Sequence, residues 1–218
     1  MKIGIFGAGA IGAALAKLAA DQGHDVMISS RHPESLAELA AGIGCSAGTI
    51  AQAARFGELC IAAVPLKALD SLPVAPLAGK VVIDAMNYYP DRDGTIAPLD
   101  ARATTTSELV AARLTGARLV KAFNAILARD LPADARPPVP PGRHALPIAG
   151  DDPAAKRIVV ELHEAFGFQA LDTGPLTQSW RFERAKPAYC IPLDAAGLSQ
   201  ALAAATRSGE LPHGSWRR

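Results

Sequence analysis

The sequence predicts an α/β protein: a doubly wound, mainly parallel sheet with helices on both faces and a short C-terminal helical extension. Short apolar segments, several of them nearly continuous as in buried parallel strands, alternate with helical segments along most of the chain. Half of the 218 residues are hydrophobic but only 5% are aromatic, so aliphatic side chains and alanine must build the core. The chain also opens with a strand that runs directly into a glycine-rich turn.

The first thirty residues set out this architecture. Residues 2–6 are a short apolar strand, and residues 7–12 spell Gly-Ala-Gly-Ala-Ile-Gly, a complete G-x-G-x-x-G. The apolar side chains of the next segment recur at helical spacing. They are Ile11, Ala14, Leu15 and Leu18. Residues 25–28 form the second strand. A secretory signal is the alternative for this segment, but Lys17 and several glycines interrupt the apolar run that a signal needs.

The glycine motif predicts a dinucleotide site because it stands between a strand and a helix. Gly7 permits the sharp turn, Gly9 lets the backbone approach a pyrophosphate, and Gly12 lets the helix pack closely on the strand. The helix N-terminus then offers free N–H groups and a partial positive charge to the phosphates.

The end of the second strand predicts NADP rather than NAD. An NAD site carries a carboxylate here to bind the ribose 2′-hydroxyl, but this chain has Ser30 and then Arg31. A guanidinium attracts a 2′-phosphate that a carboxylate would repel. The alternative is that Arg31 is a solvated loop residue and the site accepts both cofactors.

The rest of the chain repeats the alternation of strands and helices. Further strands are predicted at 43–47, 59–64, 80–84, 117–124, 145–149 and 168–171. Helices are predicted over 33–39, after Thr49 through residue 54, from Ser107, after an Asp152 cap with Pro153 in the first turn, and after an Asp194 cap. Residues 130–147 hold six prolines and are expected to form a stiff surface loop. We predict an NADP-binding domain over residues 1–172 and an extension, residues 173–218, packed on the same domain.

Several candidate ligand contacts follow the central strands, where this architecture binds ligands. Val64 and Pro65 end one strand, although Pro65 can equally be a plain strand terminator. Asn87 follows the next strand together with two tyrosines. Lys121 is a cation within an apolar strand, so it is either a structural ion pair with Asp84 or a ligand contact.

Net charge, hydropathy and the cysteine and histidine content argue against several classes of function. The net charge of +1 gives no case for nucleic acid or an acidic membrane surface, and no apolar run approaches the ~20 residues of a membrane span. The three cysteines form no C-x-x-C pair, so we expect a reduced, cytoplasmic protein without a metal site, in which each cysteine is a small buried hydrophobe. The five histidines are scattered and are expected at the surface or in loops. No catalytic side chain is assigned.

Six segments, in order along nearly the whole chain, resemble the coenzyme F420-dependent NADP oxidoreductase family. They are Ile3 to Gly12, Ile28-Ser29-Ser30-Arg31, Asn87-Tyr88-Tyr89-Pro90, Lys121-Ala122-Phe123-Asn124, Gly150-Asp151-Asp152 and Leu171-Asp172-Thr173-Gly174-Pro175-Leu176. The last two together are the most specific. A similar domain supplies the NADPH-to-flavin step of membrane metalloreductases, in which Lys-Ala-Phe-Asn also occurs.

The resemblance implies a Rossmann fold that binds NADP(H). The phosphates would lie on Ala8, Gly9, Ala10 and Ile11, and the 2′-phosphate would meet Ser30 and Arg31. The nicotinamide would lie near Val64, Pro65, Asn87 and the segment from Lys121 to Asn124. Hydride would pass between the nicotinamide and F420 or a flavin, a small-molecule acceptor stacked against it. Trp180 would stack on such a ring, or else pack against the sheet or a second subunit of a homodimer.

Two other functions stay open at this point. One is an NADPH-dependent carbonyl or imine reductase with Lys121, Tyr88 or Tyr89 as proton donor. The other is a non-catalytic NADP-binding module that senses redox state or regulates a partner. The chain shows no separate helical domain to carry a substrate, which disfavours the carbonyl or imine reductase.

Overall fold

The computed structural model describes residues 1–135, 142–212 and 214–215. The strands of this part of the chain are β1 (Lys2–Phe6), β2 (Asp25–Ser29), β3 (Ser46–Gly48), β4 (Leu59–Ala62), β5 (Val81–Asp84), β6 (Arg118–Lys121), β7 (Ala145–Gly150) and β8 (Gln169–Asp172). They lie side by side in the order β3-β2-β1-β4-β5-β6-β7-β8.

The sheet is doubly wound and mainly parallel, which confirms the predicted fold class. Strands β1 to β6 run parallel, β7 is antiparallel to β6, and β8 is parallel to β7. The chain passes from β1 outward through β2 to β3 and then crosses back to β4, which pairs with the other side of β1. The winding direction therefore reverses between β1 and β4, and the crevice beyond the carboxyl ends of strands at such a point binds ligands.

The helices cover both faces of the sheet. In the described part of the chain they are α1 (Ala10–Asp21), α2 (Ala37–Ile43), α3 (Ile50–Phe56), α4 (Pro90–Asp93), α5 (Ala97–Asp100), α6 (Thr106–Arg113), α7 (Asp130–Asp134), α8 (Pro153–Ala165) and α9 (Ala195–Ala204). Short 3₁₀ segments occupy Pro33–Leu36, Leu66–Ser71, Ala75–Leu77 and Leu176–Phe182. Among the described residues, none of the helices has both the length and the apolar character needed to cross a membrane.

Side-chain caps fix where several helices begin. Thr49, Asp152 and Asp194 are N-caps whose side chains accept backbone N–H groups of α3, α8 and α9, as the sequence predicts. Thr105 and Glu108 form a reciprocal capping box at the start of α6. These caps satisfy backbone N–H groups that would otherwise be unpaired in the first turn of each helix.

Alternation along each strand divides the core into two layers. Ile3 and Ile5 of β1 pack with residues of α1, α2 and α8 on one face, whereas Phe6 packs with α3 and α6 on the other. A third cluster joins Phe182, Tyr189 and α9 of the C-terminal extension to β7. The extension thus lies against the antiparallel side of the sheet.

Three predicted elements differ from the structure. Residue 43 ends α2 rather than starting a strand, because the helix continues through Ala40 and the chain reverses only at Gly44. Strand β6 ends at Lys121, and the three residues predicted to continue it leave the sheet, with Phe123 in a left-handed conformation. The irregular segment predicted at 130–147 contains α7 and the start of β7, while its residues 136–141 lie outside the described part of the chain.

Among the described histidines two are buried, and one of them, His163 on α8, corrects the expectation that all five lie at the surface or in loops; His144 is in the loop before β7. His163 on α8 has no exposed surface, its Nδ1 bonds the Val159 carbonyl oxygen at 2.7 Å, and its ring stacks on Phe123 with centroids 4.0 Å apart. His144 is 8% exposed and its Nδ1 lies 2.8 Å from a carboxylate oxygen of Asp134. The remaining histidines are His24, half-buried; His32, exposed; and His213, outside the described residues.

The buried imidazole of His163 predicts a pH-dependent stability. Burial lowers its pKa from 6.5 to about 4. Since the unfolded chain takes up this proton near pH 6.5 and the folded protein only near pH 4, acid favours unfolding in that window. The free energy of unfolding should fall by about 2 kcal/mol from pH 7 to pH 5 through this group. Urea unfolding at both pH values should show a weaker dependence in His163→Leu, and an unchanged one in the control His32→Gln. An equal dependence in wild type and His163→Leu would contradict this assignment.

Candidate functional site

The glycine motif forms a tight turn between β1 and α1. Gly7 has φ +99°, a left-handed conformation, and its N–H donates to the carbonyl oxygen of Ser29 at 3.1 Å. A Cβ on Gly12 would lie 2.1 Å from the Gly7 carbonyl oxygen, so helix and turn touch there. A Cβ on Gly9, the N-cap of α1, would meet no atom within 4 Å. The turn is therefore packed behind Gly12 and open in front of Gly9.

Ser30 and Arg31 stand beside this turn. They follow β2 at Ser29, which pairs with Phe6 at the end of β1. The Ser30 Oγ accepts the backbone N–H of His32 at 3.0 Å. Arg31 is exposed, and no group in the described part of the chain forms an ion pair or hydrogen bond with its guanidinium. That guanidinium is free to contact a ligand at the carboxyl edge of the sheet.

A cleft of about 340 Å³, here called the main cleft, opens at the carboxyl ends of β1, β4, β5 and β6. The predicted site residues that line it are Gly9, Ala10, Ile11, Val64, Pro65, Asn87 and Asn124. Its other walls are Ala63, Ala85, Met86, Tyr89, Arg92, Phe123, Ile126, Leu127, Ala128, Tyr189 and Cys190. The remaining predicted residues do not line the cleft. Gly7, Ala8 and Gly12 belong to the glycine turn at the edge of the cleft, and Ser30 and Arg31 lie beside that turn. Lys121 lies in the core beneath the cleft. The topology thus brings one end of the cleft against the helix N-terminus.

Two asparagines hold each other at the cleft wall. The Asn87 Nδ2 donates to the Asn124 carbonyl oxygen at 2.9 Å, and the Asn124 Nδ2 donates to Asn87 Oδ1 at 3.1 Å. The Asn124 Nδ2 also donates to the Phe182 carbonyl oxygen at 3.0 Å, which ties the extension to the cleft. The Asn124 Oδ1 is buried without a partner among the described residues. Leaving such an acceptor unsatisfied costs about 1–3 kcal/mol, so this oxygen is available to accept a hydrogen bond in the cleft.

A pair of tyrosines from distant parts of the sequence also lines the cleft. The hydroxyls of Tyr89 and Tyr189 form a hydrogen bond, and the Arg92 guanidinium lies 4.8 Å from the centre of the Tyr89 ring. Burial raises the pKa of Tyr189, which is 2% exposed, and raises that of the Cys190 thiol to about 12. Tyr189 and Cys190 are therefore protonated and uncharged at neutral pH.

Two of the four described non-glycine residues with a left-handed backbone line the main cleft. Phe123 and Cys190 have φ of +57° and +55°, a conformation that side-chain-bearing residues rarely adopt. Such residues cost about 1–3 kcal/mol each and persist where the surroundings hold them, often at functional sites. The Phe123 ring is held by His163, and the Cys190 N–H donates to the Ala125 carbonyl oxygen at 3.0 Å. Packing and hydrogen bonding thus hold both residues in the cleft wall.

Lys121 forms the predicted ion pair with Asp84 in the core beneath the cleft. Neither side chain has exposed surface, and Lys121 Nζ lies 3.1 Å from Asp84 Oδ2. Lys121 Nζ also bonds the Met86 carbonyl oxygen. The carboxylate accepts the Ser107 hydroxyl at 2.7 Å and the Met86 N–H at 2.9 Å. The pair fixes the ends of β5 and β6 next to the asparagine pair.

A second cavity of about 270 Å³ lies on the other side of the loop that follows β5. Its walls include Tyr88, Trp180, Arg184, Lys186 and Arg207. The Tyr88 hydroxyl donates to Asp100 at 2.7 Å, so of the two tyrosines in this loop only Tyr89 faces the main cleft. Trp180 is half-buried and lines this cavity rather than the main cleft.

The fold and the glycine turn beside the main cleft are those of a dinucleotide-binding protein, and comparison with known proteins identifies its family. The sequence profile of the family of coenzyme F420-dependent NADP oxidoreductases matches residues 2–88. A proposed F420-dependent NADP-reductase from Arthrobacter sp. FB24 is 27% identical, with a TM-score of 0.72 over 82% of this chain and 87% of that one. The hypothetical protein SMa0349 from Sinorhizobium meliloti is 30% identical, with a TM-score of 0.76 over 89% of this chain and 94% of that one. The chain belongs to this family of NADP-dependent oxidoreductases.

A curated relative extends beyond this chain. Metalloreductase STEAP3 of Rattus norvegicus is 31% identical over 197 residues, which cover 88% of this chain and 38% of that protein. The chain therefore spans well under half the length of this relative. The likeness covers the domain described above and not the whole metalloreductase.

Proposed function

We propose that this chain transfers hydride between NADP(H) and a planar acceptor of the deazaflavin or flavin type. One observation carries the proposal: the open side of the glycine turn continues directly into a mostly apolar cleft. Gly9, Ala10 and Ile11 line one part of that cleft, and Tyr89 and Tyr189 line another. A dinucleotide with its phosphates on the helix N-terminus would therefore extend its nicotinamide into a protected space.

The residues present fit NADP(H). The N–H groups of the first turn of α1 suit the pyrophosphate, and the open space in front of Gly9 gives it room. Arg31 would hold the 2′-phosphate, with Ser30 beside it. The unpartnered Oδ1 of Asn124 would accept an N–H of the nicotinamide carboxamide. Bound NADPH supplies the hydride.

The side chains of the cleft would act mainly by positioning the two rings. Direct hydride transfer between stacked rings requires their alignment and the exclusion of water. Val64, Met86 and Ile126 present apolar surface to the cleft, and the asparagine pair fixes the wall between β5 and β6. The buried Lys121 has no exposed atom to offer a ligand, and its proposed part is to hold this wall in place.

Replacing Arg31 tests the choice of cofactor. Arg31→Ala should raise the Kd for NADPH about ten- to a hundredfold, because one charge-assisted contact to the 2′-phosphate is lost. The Kd for NADH should stay within about threefold, since NADH has no phosphate at that position. Arg31 is exposed and unpaired within the described chain, so the stability should not change. Equal losses of affinity for NADPH and NADH in titrations would contradict the proposed contact.

The hydroxyl pair in the main cleft favours a second candidate, an NADPH-dependent carbonyl or imine reductase. Such an enzyme needs a proton donor, and of the donors considered above only Tyr89 reaches the cleft. Tyr89→Phe would then slow turnover about 100- to 10,000-fold. With a ring acceptor, Tyr89→Phe should slow turnover less than about tenfold, because no single side chain must protonate the ring in the hydride step.

The two candidates are separated by anaerobic assays of NADPH absorbance with F420, FMN, FAD and a panel of ketones and imines. The proposal expects reduction of at least one ring acceptor, with a modest effect of Tyr89→Phe. Tyr88→Phe is the matched control for the carbonyl and imine substrates, because its hydroxyl lies outside the main cleft. Turnover confined to carbonyls or imines would support the second candidate. Tight NADPH binding without any turnover would support a non-catalytic module.

A further inference from the structure

The wall of the second cavity holds four cationic and three acidic side chains, an excess of one positive charge. Asp100 accepts the Tyr88 hydroxyl, Glu183 accepts the Thr106 N–H at 2.7 Å, and Glu210 pairs with Arg102 at 2.9 Å. Each carboxylate of the wall is thus engaged by another group of the protein. The remaining cations of the wall form no close ion pair with a carboxylate in the described part of the chain, although the charges of Glu210 and Glu183 act on Lys186. These cations are Arg184, Lys186 and Arg207.

These cations differ in what holds them. Lys186 is 6% exposed, and its Nζ donates to the carbonyl oxygens of Thr206, Arg207 and Gly209, which fixes the chain after α9. The Arg207 guanidinium lies 5.2 Å from the centre of the Trp180 ring and contacts only carbonyl oxygens, at 3.3 Å and 3.4 Å. The Arg184 guanidinium has no hydrogen-bond partner among the described residues. Arg184 and Arg207 are therefore the cations available to an anion.

Arg184 lies next to both cavities, although the two share no wall residue. It lines the second cavity, and its guanidinium lies 5.7 Å from the centre of the Tyr89 ring, which lines the main cleft. The second cavity shares no wall residue with the glycine turn. A molecule whose ring lies in the main cleft near Tyr89 could thus place a charged substituent beside Arg184.

We propose that the second cavity binds the phosphate of the acceptor's side chain. The inference rests on the proposed function and specifies its substrate: a flavin or deazaflavin that carries a phosphate ester, in preference to the same ring without one. Guanidinium groups bind phosphate through paired N–H donors, which suits the free fork of Arg184. Arg207 adds a second charge, and Trp180 with Lys186 holds the wall that carries it.

The test measures binding in the presence of NADP⁺, where no turnover occurs. Two matched pairs of probes are used: FMN against riboflavin, and F420 against its deazaflavin ring without the phosphate-bearing tail. Flavin or deazaflavin fluorescence reports the Kd. In at least one pair, the phosphorylated member should bind about ten- to a hundredfold more tightly. Arg184→Gln should abolish that preference and leave the Kd of the neutral ring unchanged.

Controls separate this inference from general charge effects and from the proposed function. Arg157→Gln removes one charge from the exposed face of α8 and should leave the preference intact. Arg207→Gln, which keeps Arg184, should reduce the preference only in part. If phosphorylated and neutral rings bind equally well, the inference is overturned. The proposed function would still be supported if a ring acceptor is reduced in the turnover assay. Equal weakening of both members by Arg184→Gln also overturns it, since the arginine would then act on the ring. If no ring binds at all, both fail.

Discussion

Replacing Lys121 by methionine should lower the free energy of unfolding by about 3–5 kcal/mol, because the buried Asp84 carboxylate would lose its counter-charge. Both side chains are fully buried and 3.1 Å apart, so water cannot compensate for the missing ammonium group. Ser107 and the Met86 N–H would remain as hydrogen-bond donors to the carboxylate, which limits the loss. Urea unfolding monitored by circular dichroism measures this change in the free energy of unfolding.

Two further variants make this result specific. The double variant Asp84→Asn with Lys121→Met removes both charges and should recover part of the loss, since an unpaired buried charge is costlier than none. Lys17→Met breaks an exposed ion pair with Asp21 on α1 and should cost less than about 1 kcal/mol. If Lys121→Met costs no more than Lys17→Met, the pair does not stabilise the fold. If the folded variant also keeps its Kd for NADPH, Lys121 is not a direct cofactor contact.

The second large effect concerns the glycine turn, where substitution of Gly9 should weaken NADPH binding and substitution of Gly12 should lower the stability. Gly9→Ala should leave the stability within about 0.5 kcal/mol, because the added methyl group meets no atom within 4 Å and φ is −72°. The Kd for NADPH should rise about ten- to a hundredfold, because the methyl group occupies the space proposed for the pyrophosphate.

Gly12→Ala, in contrast, should lower the stability of the fold. Its methyl group would lie 2.1 Å from the Gly7 carbonyl oxygen, so helix α1 must move away from the turn, at a cost of about 1–3 kcal/mol. Thermal unfolding and NADPH titration of both variants make the comparison. If Gly9→Ala binds NADPH as tightly as the wild type, the phosphates do not lie on this helix N-terminus.

Local patterns along the chain predict the architecture well. Strand β1, the glycine turn and helix α1 appear where the motif requires them, and the caps Thr49, Asp152 and Asp194 start their helices as predicted. These features depend on residues close together in the sequence, so spacing and residue type suffice to detect them. The same holds for the strand ends that line the main cleft.

What the sequence could not supply depends on packing between distant segments. Tyr189 and Cys190 reach the main cleft from the C-terminal extension, a hundred residues from Tyr89, and no periodic pattern marks them. The only sequence signal was the tyrosine-rich loop after β5, which indicated one half of the pair. Likewise, His163 and Phe123 are brought together by the packing of α8 on the end of β6. Neither segment alone predicts a buried imidazole.

The transfer of a labelled hydride tests the central claim most directly. NADPH deuterated at both C4 positions of the nicotinamide is mixed with the protein and F420 under anaerobic conditions, and the reduced product is weighed by mass spectrometry. Because the accepting atom of a deazaflavin is a carbon, a transferred deuterium stays in the product, whereas a hydrogen that entered as a proton from solvent would be unlabelled. With FMN the label exchanges, so the readout there is a slower reduction by the deuterated cofactor. The account predicts deuterium in reduced F420 or an isotope effect with FMN. Tight NADPH binding with neither acceptor reduced would contradict it.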